Sequence, residues 1–593
     1  MTDTGAEVVE RRPRMESLWR KHRTRWALPV VIIVIIGAVA IVDHLGSHRI
    51  SQVDQQTTSA LVAATGGAAT VSLDRPWAGF NPNTPAGAAS STPTLLTSVL
   101  PSAYVINPKL IPQVNSDLLL SVEATSTSPL TIQYVINPKA VWSDGVAVSA
   151  DDFIYAWMSQ RGDGADVNGA PDQVASALGY RDVASVTGSH GGKTVTVVFA
   201  RPFTDWRVMF DHMVPAHIAR RVGWNSGFQA FSPDIDLSAG PMIVQSVSTG
   251  TAVLVRNPRW WGTAALLDRV TVSIAPNQAS WADTLASSNQ TVAQPTGFDL
   301  GTIDAVTSMP NTQSTIKPSL SFLQLEFNTK SPVTARAATR EAIAHSLDRT
   351  TLLNRVFGSV DPSLVVDEDH LATASQTAYN PSSASGEYDQ PQPVITDRLL
   401  KSVGFHPDAA GNYVDAGGDQ LTLRMAIEAG DPWITQVGEQ IVSELRSRGI
   451  AVVTVPIGGT PGLIAAAAAN AYDMALVTRT ASPFQTATSS WYSDGQDPVA
   501  SVGWQNWSKF DDPQVDQLFA QAAEELNPVS GSAVYGQIDD QLWDQMVALP
   551  LFEEPALLVN GVQIDNVQYN SSVDGVLWNL ALWTRLKPGP PSQ

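Results

Sequence analysis

The sequence predicts an α/β protein built in more than one lobe and preceded by one apolar segment long enough to cross a membrane. Three observations carry this. From Leu421 the pattern reads β-α-β-α-β: "LTLRMAIEA" is a strand, "PWITQVGEQIVSELRSRG" an amphipathic helix, "IAVVTVPI" a strand, "PGLIAAAAANA" a helix and "YDMALVT" a strand. Such alternation makes a parallel sheet covered by helices. Upstream, "PLTIQYVINP" alternates like a strand, and "VASVTGSHGGKTVTVVFA" reads as two strands around a glycine-rich turn. Finally, 593 residues are several times a typical domain of about 150, which calls for two or more lobes around large cores.

The apolar segment is "WALPVVIIVIIGAVAIV", Trp26 to Val42, 17 residues without a charge. That is the short end of what spans a bilayer. Seven basic residues precede it, from Arg11 to Arg25, and they place residues 1–25 on the cytoplasmic side. The body beyond Asp43 is then extracytoplasmic. A cleaved signal peptide is the rival reading. The length of the apolar core, with no small-x-small site close behind it, favours an uncleaved anchor. Residues 43–69 are polar and small and read as a flexible tether. The segment Asp367 to Asp389, rich in Ser, Ala and Thr, reads as a surface loop, and the tail "LKPGPPSQ" as a frayed end.

Formal net charge is −20, and beyond residue 25 the chain carries 29 basic and 52 acidic residues. An acidic body has no electrostatic footprint for nucleic acid. It also disfavours docking on an anionic bilayer surface. Cysteine is absent, so disulfides, thiolate metal sites, cysteine nucleophiles and a lipid-modified N-terminal cysteine are excluded. The 17 tryptophans serve packing first and are candidates to line a binding cleft second.

Most chemistry-bearing motifs fail on inspection. "GSHGGKT", Gly188 to Thr194, resembles a phosphate-binding loop, but Thr187 stands where the first glycine is needed. A strand follows it where a helix must begin. His212 and His217 flank Pro215 with no third ligand nearby, so no metal site is expected. No G-x-S-x-G elbow and no H-E-x-x-H occurs.

The stretch "AVWSDGVAVSADDFIYAW", Ala140 to Trp157, sets Asp144, Asp151 and Asp152 between two tryptophans. Paired carboxylates beside aromatics can serve glycoside hydrolysis. Here each has a structural assignment, Asp151 together with Asp152 at the positive end of a helix dipole. Ser143, Asp144 and Gly145 have turn chemistry. Ser149 caps a helix, and Asp152 three residues on returns the bond. No catalytic residue, cofactor or metal ligand is expected.

The same stretch carries a family resemblance. It is similar to the W-S-D-G-x-x-(I/V/L)-x-A-x-D-(F/V) segment of family 5 extracellular solute-binding proteins of ABC importers, the dipeptide-, oligopeptide- and nickel-binding group. The matching residues are Trp142, Ser143, Asp144, Gly145, Val148, Ala150, Asp152 and Phe153. In order behind it, "VTVVFARPFTDW", "LSAGPMIV", "LVRNPRWW", "LQLEFNTKSPVTARAATREAIAHSLDR", "NWSKFDDPQVDQLF" and "LPLFEEP" resemble further landmarks of that family. Within it, "VLPSAYVINP" and "MVPAHIA" have the look of the actinobacterial branch containing the lipoprotein LpqW.

The resemblance implies a large two-lobed periplasmic-binding-protein type II fold with an inserted third subdomain, behind the N-terminal transmembrane helix. It divides the body into lobe I (70–114, 236–325 and 550–588), an inserted subdomain (115–235) and lobe II (326–549). It implies a monomer that closes on a small polar ligand, a peptide or a glycolipid headgroup, and delivers it to ABC permease and ATPase subunits. It does not imply an enzyme. The LpqW-like alternative is a non-transport role in phosphatidylinositol-mannoside and lipoarabinomannan synthesis. The ligand residues it implies are Asn81, Pro82, Arg479, Phe484, Trp491, Trp504 and Trp507. Peptide-binding relatives place an amine-pairing aspartate after the strand that here ends at "VTRTASPF", so Arg479 is expected to face an anionic or polyhydroxyl ligand.

Overall fold

A computed structural model describes residues 61–275, 278–295, 298, 300–381, 386–493 and 505–588. Residues 1–25, the apolar segment 26–42, the first part of the tether and Trp504 lie outside them. Among the described residues no helix is long and apolar enough to cross a membrane.

A ten-stranded mixed sheet organises the body. Its strand order is Ala451–Ile457, Thr422–Glu428, Met474–Thr480, Thr312–Phe327, Ala548–Gly561, Thr291–Ala293, Ala68–Leu73, Arg269–Ile274, Thr251–Arg256 and Met242–Ser248. The second half of the sheet is the β-α-β-α-β unit expected from Leu421 onward. Thr422–Glu428 runs parallel to both Ala451–Ile457 and Met474–Thr480. The helix Pro432–Ser447 covers it, with Val437, Ile441 and Leu445 fully buried at helical spacing. Asp431 caps that helix by accepting from the N–H groups of Trp433 and Ile434. In the first half, Ala68–Leu73 lies parallel to Arg269–Ile274 and Thr291–Ala293, and Val71, Val270, Val272 and Val292 fill the core.

Among the described residues, two long strands belong to both halves. Thr312–Phe327 and Ala548–Gly561 pair antiparallel from Thr312 opposite Gly561 to Glu326 opposite Ala548. Their ladder is interrupted where Pro318 stands opposite Pro555, and it resumes at Phe322 opposite Glu553. Neither proline has an N–H to donate, so the sheet loses its cross-strand bonds at the junction of its halves.

A separate antiparallel sheet holds Leu119–Thr127, Leu130–Ile136, Thr194–Phe199 and Val183–Ser189 in that order. The helix Ala150–Gln160 starts with the capping box the sequence predicts. Ser149 Oγ accepts from the Asp151 N–H at 3.2 Å, and Asp152 Oδ2 accepts from the Ser149 N–H at 2.9 Å. The other Asp152 oxygen accepts from the Ala216 N–H at 3.0 Å and so fixes the start of the helix Ala216–Val222. Asp144 closes its turn by accepting from the Val146 N–H and pairs with His217 at 2.8 Å.

Three expectations are corrected. The tether does not extend to Ala69: Leu61–Ala64 pairs antiparallel with Thr584–Pro588, and Ala68 already begins the central sheet. The same pairing orders residues 586–588 of the expected frayed tail. The segment from Asp367 is no surface loop at its start. Asp367, Asp369, His370, Leu371 and Thr373 are buried. Its backbone is tied to the long strand by Asp367 N–H to Leu551 O, and the fully buried Arg349 donates to the carbonyls of Asp367 and Pro550. Small polar composition signals a loop, but these bonds let the backbone run inside.

Asp152→Ala removes a helix cap and leaves the buried Ala216 N–H unpaired. It is expected to cost about 1–3 kcal/mol in urea unfolding, and Asp152→Asn less.

Candidate ligand-binding cleft

The interrupted ladder lies at the floor of a cleft. Ser319, Leu320 and Ser321 on one long strand, and Glu554, Pro555 and Ala556 on the other, line a cavity of about 410 Å³. Its walls come from both halves of the sheet: Asp74, Arg75 and Thr94 from one, Glu428, Asp431 and Thr478 from the other. Leu320, Thr480, Ser571, Ser572 and Val573 also line a second cavity of about 280 Å³, bounded by the hairpin residues Tyr104 and Ile106, by Arg207 and Met209, and by Ala481 to Phe484. A third, of about 170 Å³, includes Pro82, Asn83, Gln160 and His212. Val573 lines all three and is 62% exposed, an aliphatic side chain standing at their junction.

The strand ends place these groups. Glu428 and Thr480 lie at the carboxyl ends of parallel strands, where doubly wound sheets bind ligands. Thr478 and Thr480 are exposed while Arg479 between them is buried, as strand alternation requires.

The larger cavity is acidic. Glu428 and Asp431, at the end of one strand and the start of the helix after it, meet Glu554 from the long strand, and among the described residues none of the three has an ion-pair partner. Burial pushes the Glu554 carboxyl up to about 7, helped by the charges of Asp431 and Glu428 and opposed by a hydrogen bond from Thr478 Oγ1. Glu428 is also raised, by burial and then by Asp431. Beside the second cavity, His212 Nδ1 lies 2.8 Å from Asp211 and Nε2 lies 3.5 Å from Asp574. Burial pulls this imidazole down, and the two carboxylates overcome it, raising it to about 9.

Contacts cross the mouth of the cleft. Asp205 accepts from the Thr486 N–H and Oγ1 at 3.0 and 2.8 Å, and the Thr204 N–H donates to Ala523 O. Leu110, in the connection between Tyr104–Ile106 and Pro112–Val114, packs on the cluster of Leu320, Phe322 and Leu371.

The residues expected to bind ligand separate into two groups. Phe484 and Pro82 line the second and third cavities. Asn81 does not line the cleft; it is buried, with Nδ2 donating to Trp224 O and Oδ1 accepting from the Asn83 N–H. Arg479 is the main correction. Its side chain is 1% exposed, and its Nε and Nη2 lie 2.7 and 2.5 Å from Oε1 of the fully buried Glu326. Nη2 also donates to Gln505 O. The guanidinium lies 5.1 Å from the ring of Trp491 and 6.0 Å from that of Trp507. Those two tryptophans are therefore packing around an internal ion pair and line none of the cavities. Trp504 lies outside the described residues.

Comparison with known proteins sets this arrangement in a family. Residues 113–502 match the model of the bacterial extracellular solute-binding proteins, family 5 (middle region). The chain belongs to that family. It is similar to the oligopeptide-binding protein OppA of Mycobacterium tuberculosis, 28% identical over 474 residues, which are 78% of this chain and 75% of OppA. It is similar as well to the probable monoacyl phosphatidylinositol tetramannoside-binding protein LpqW of the same organism, 26% identical over 417 residues. These cover 64% of this chain and 62% of LpqW. An uncharacterized lipoprotein of that organism is 26% identical over 95% of this chain and 98% of its own length. Among solved structures, the periplasmic EDTA-binding protein EppA superposes with a TM-score of 0.80 at 22% identity, covering 90% of this chain and 99% of EppA. The α/β fold of this chain is thus that of the periplasmic binding proteins.

Sequence reasoning missed Glu428, Glu554 and Val573. The rule that ligands sit at strand carboxyl ends points to Glu428. Alternation in "LPLFEEP" separates Glu553, buried and accepting from Ser375, from Glu554 in the cleft. Val573 carries no local signal.

Arg479→Ala strands Glu326 as an unpaired buried charge, and denaturant unfolding is expected to show a loss of about 3–5 kcal/mol. The paired change Arg479→Met with Glu326→Met is expected to cost much less. For Glu554, a folded-state value raised to about 7 means stability present at low pH and lost as pH rises through 7. Glu554→Gln should therefore raise the melting temperature at pH 8 and leave it nearly unchanged at pH 5, read by thermal denaturation of ligand-free protein.

Proposed function

We propose that this chain is an extracytoplasmic solute-binding protein that captures a small ligand between two lobes and delivers it to an ABC permease. The ligand is a peptide or another small polar solute. The observation that carries this reading is the cleft built on the interrupted ladder. Among the described residues two strands join the halves of the sheet, and their cross-strand bonds are missing where Pro318 meets Pro555. A junction of that kind bends with little loss of bonding, so the lobes can hinge about it. Asp205, Thr486 and Leu110 hold the closed form together at the mouth. Pro82 and Phe484 contact the ligand. The work is binding and closure, with no covalent chemistry. The protein acts as a monomer, held to the membrane by the segment Trp26 to Val42 with its body on the outer side.

A second reading follows from the similarity to LpqW. In it the same cleft takes a mannosylated lipid headgroup, and the protein regulates envelope glycolipid synthesis without a permease.

Native mass spectrometry of the purified protein tests both. A co-purified peptide or small solute supports import, and a co-purified mannolipid supports the second reading. X-ray scattering is expected to show expansion when that ligand is stripped and compaction when it is restored; an unchanged radius of gyration would overturn hinge closure.

A further inference from the structure

We propose that the ligand is an amphiphilic organic cation, with an apolar group in the cavity of about 280 Å³ and a positively charged group in the adjoining cavity against Glu428, Asp431 and Glu554. This deepens the binding-protein reading above and rests on it.

The two cavities share a wall but differ in chemistry. The smaller one is faced by Ile106, Met209, Leu320, Phe484 and Val573. The charges at its rim are engaged: Arg207 stacks 4.2 Å over Trp206, and Asp211 and Asp574 flank the His212 imidazole. What remains for a ligand there is apolar surface, and Val573 leaves 62% of its own in water. The larger cavity holds four carboxylates, Asp74, Glu428, Asp431 and Glu554, against the single guanidinium of Arg75. Asp431 uses Oδ1 for both helix N–H bonds, and Glu554 accepts one hydroxyl bond. Carboxylates gathered in a partly dry cleft repel one another, and a bound cation removes that repulsion. An independent sign of a missing partner lies on the shared wall. Ser572 is 8% exposed, lines both cavities, and its hydroxyl has no hydrogen-bond partner among the described residues. A ligand spanning the two cavities passes this hydroxyl.

The test is calorimetric titration of the full-length protein, stripped of co-purified ligand, with 4-phenylbutylamine, butylamine and 4-phenylbutyrate. The phenyl group should make 4-phenylbutylamine bind about ten- to a hundredfold more tightly than butylamine. The carboxylate analogue should bind at least about tenfold more weakly than the phenyl amine. Val573→Asn should narrow the gap between the two amines. Glu554→Gln should narrow the gap between amine and carboxylate. Equal binding of phenyl amine and carboxylate, or of the two amines, overturns the inference. If neither amine binds while a co-purified solute still compacts the protein, this inference falls and the binding-protein reading stands.

Discussion

The opposition of Pro318 and Pro555 is the constraint on which the rest depends. Two strands must carry the chain between the halves of one sheet, and a ladder of uninterrupted hydrogen bonds would make that sheet stiff. Two residues without N–H groups, set face to face, remove the bonds at one point and leave the strands paired on either side. The same point provides the space. Between Pro318 opposite Pro555 and Phe322 opposite Glu553 the two strands lose register, and Ser319 to Ser321 with Glu554 to Ala556 become the floor of the cleft. Flexibility and cavity are thus one feature of the backbone, and the helices and separate sheet around it supply walls.

Charge is distributed accordingly. Inside the second half, Arg479 and Glu326 neutralise each other between two tryptophans, where an unpaired ion would be too costly to keep. In the cleft, Glu428, Asp431 and Glu554 have no ion-pair partner among the described residues. A buried pair defines the core, and unpaired charge at a wet boundary is available to a ligand. His212 shows a third case, a buried imidazole kept charged by Asp211 and Asp574 where segments far apart in sequence meet.

Much of the fold was legible locally. The turn at Asp144 and the cap at Ser149 and Asp152 follow from short-range chemistry, and the β-α-β-α-β unit from hydrophobic period. The candidate site was legible only in part. Of the residues the family resemblance implies, Phe484 and Pro82 line the cleft, whereas Asn81, Trp491 and Trp507 turn inward. Composition misled at Asp367, because a polar segment is surface only when its backbone has no partner inside, and Arg349 and Leu551 are such partners.

By itself the sequence determined the family, the fold class and the structural role of the three aspartates, since these rest on spacing along the chain. Tertiary structure decided which side chains face the ligand. Successive residues of a strand point to opposite faces, so Arg479 and Thr480, or Glu553 and Glu554, are neighbours in sequence and belong to different environments. Which face is core and which is cleft depends on what the rest of the chain packs against it, and that is not written in either residue.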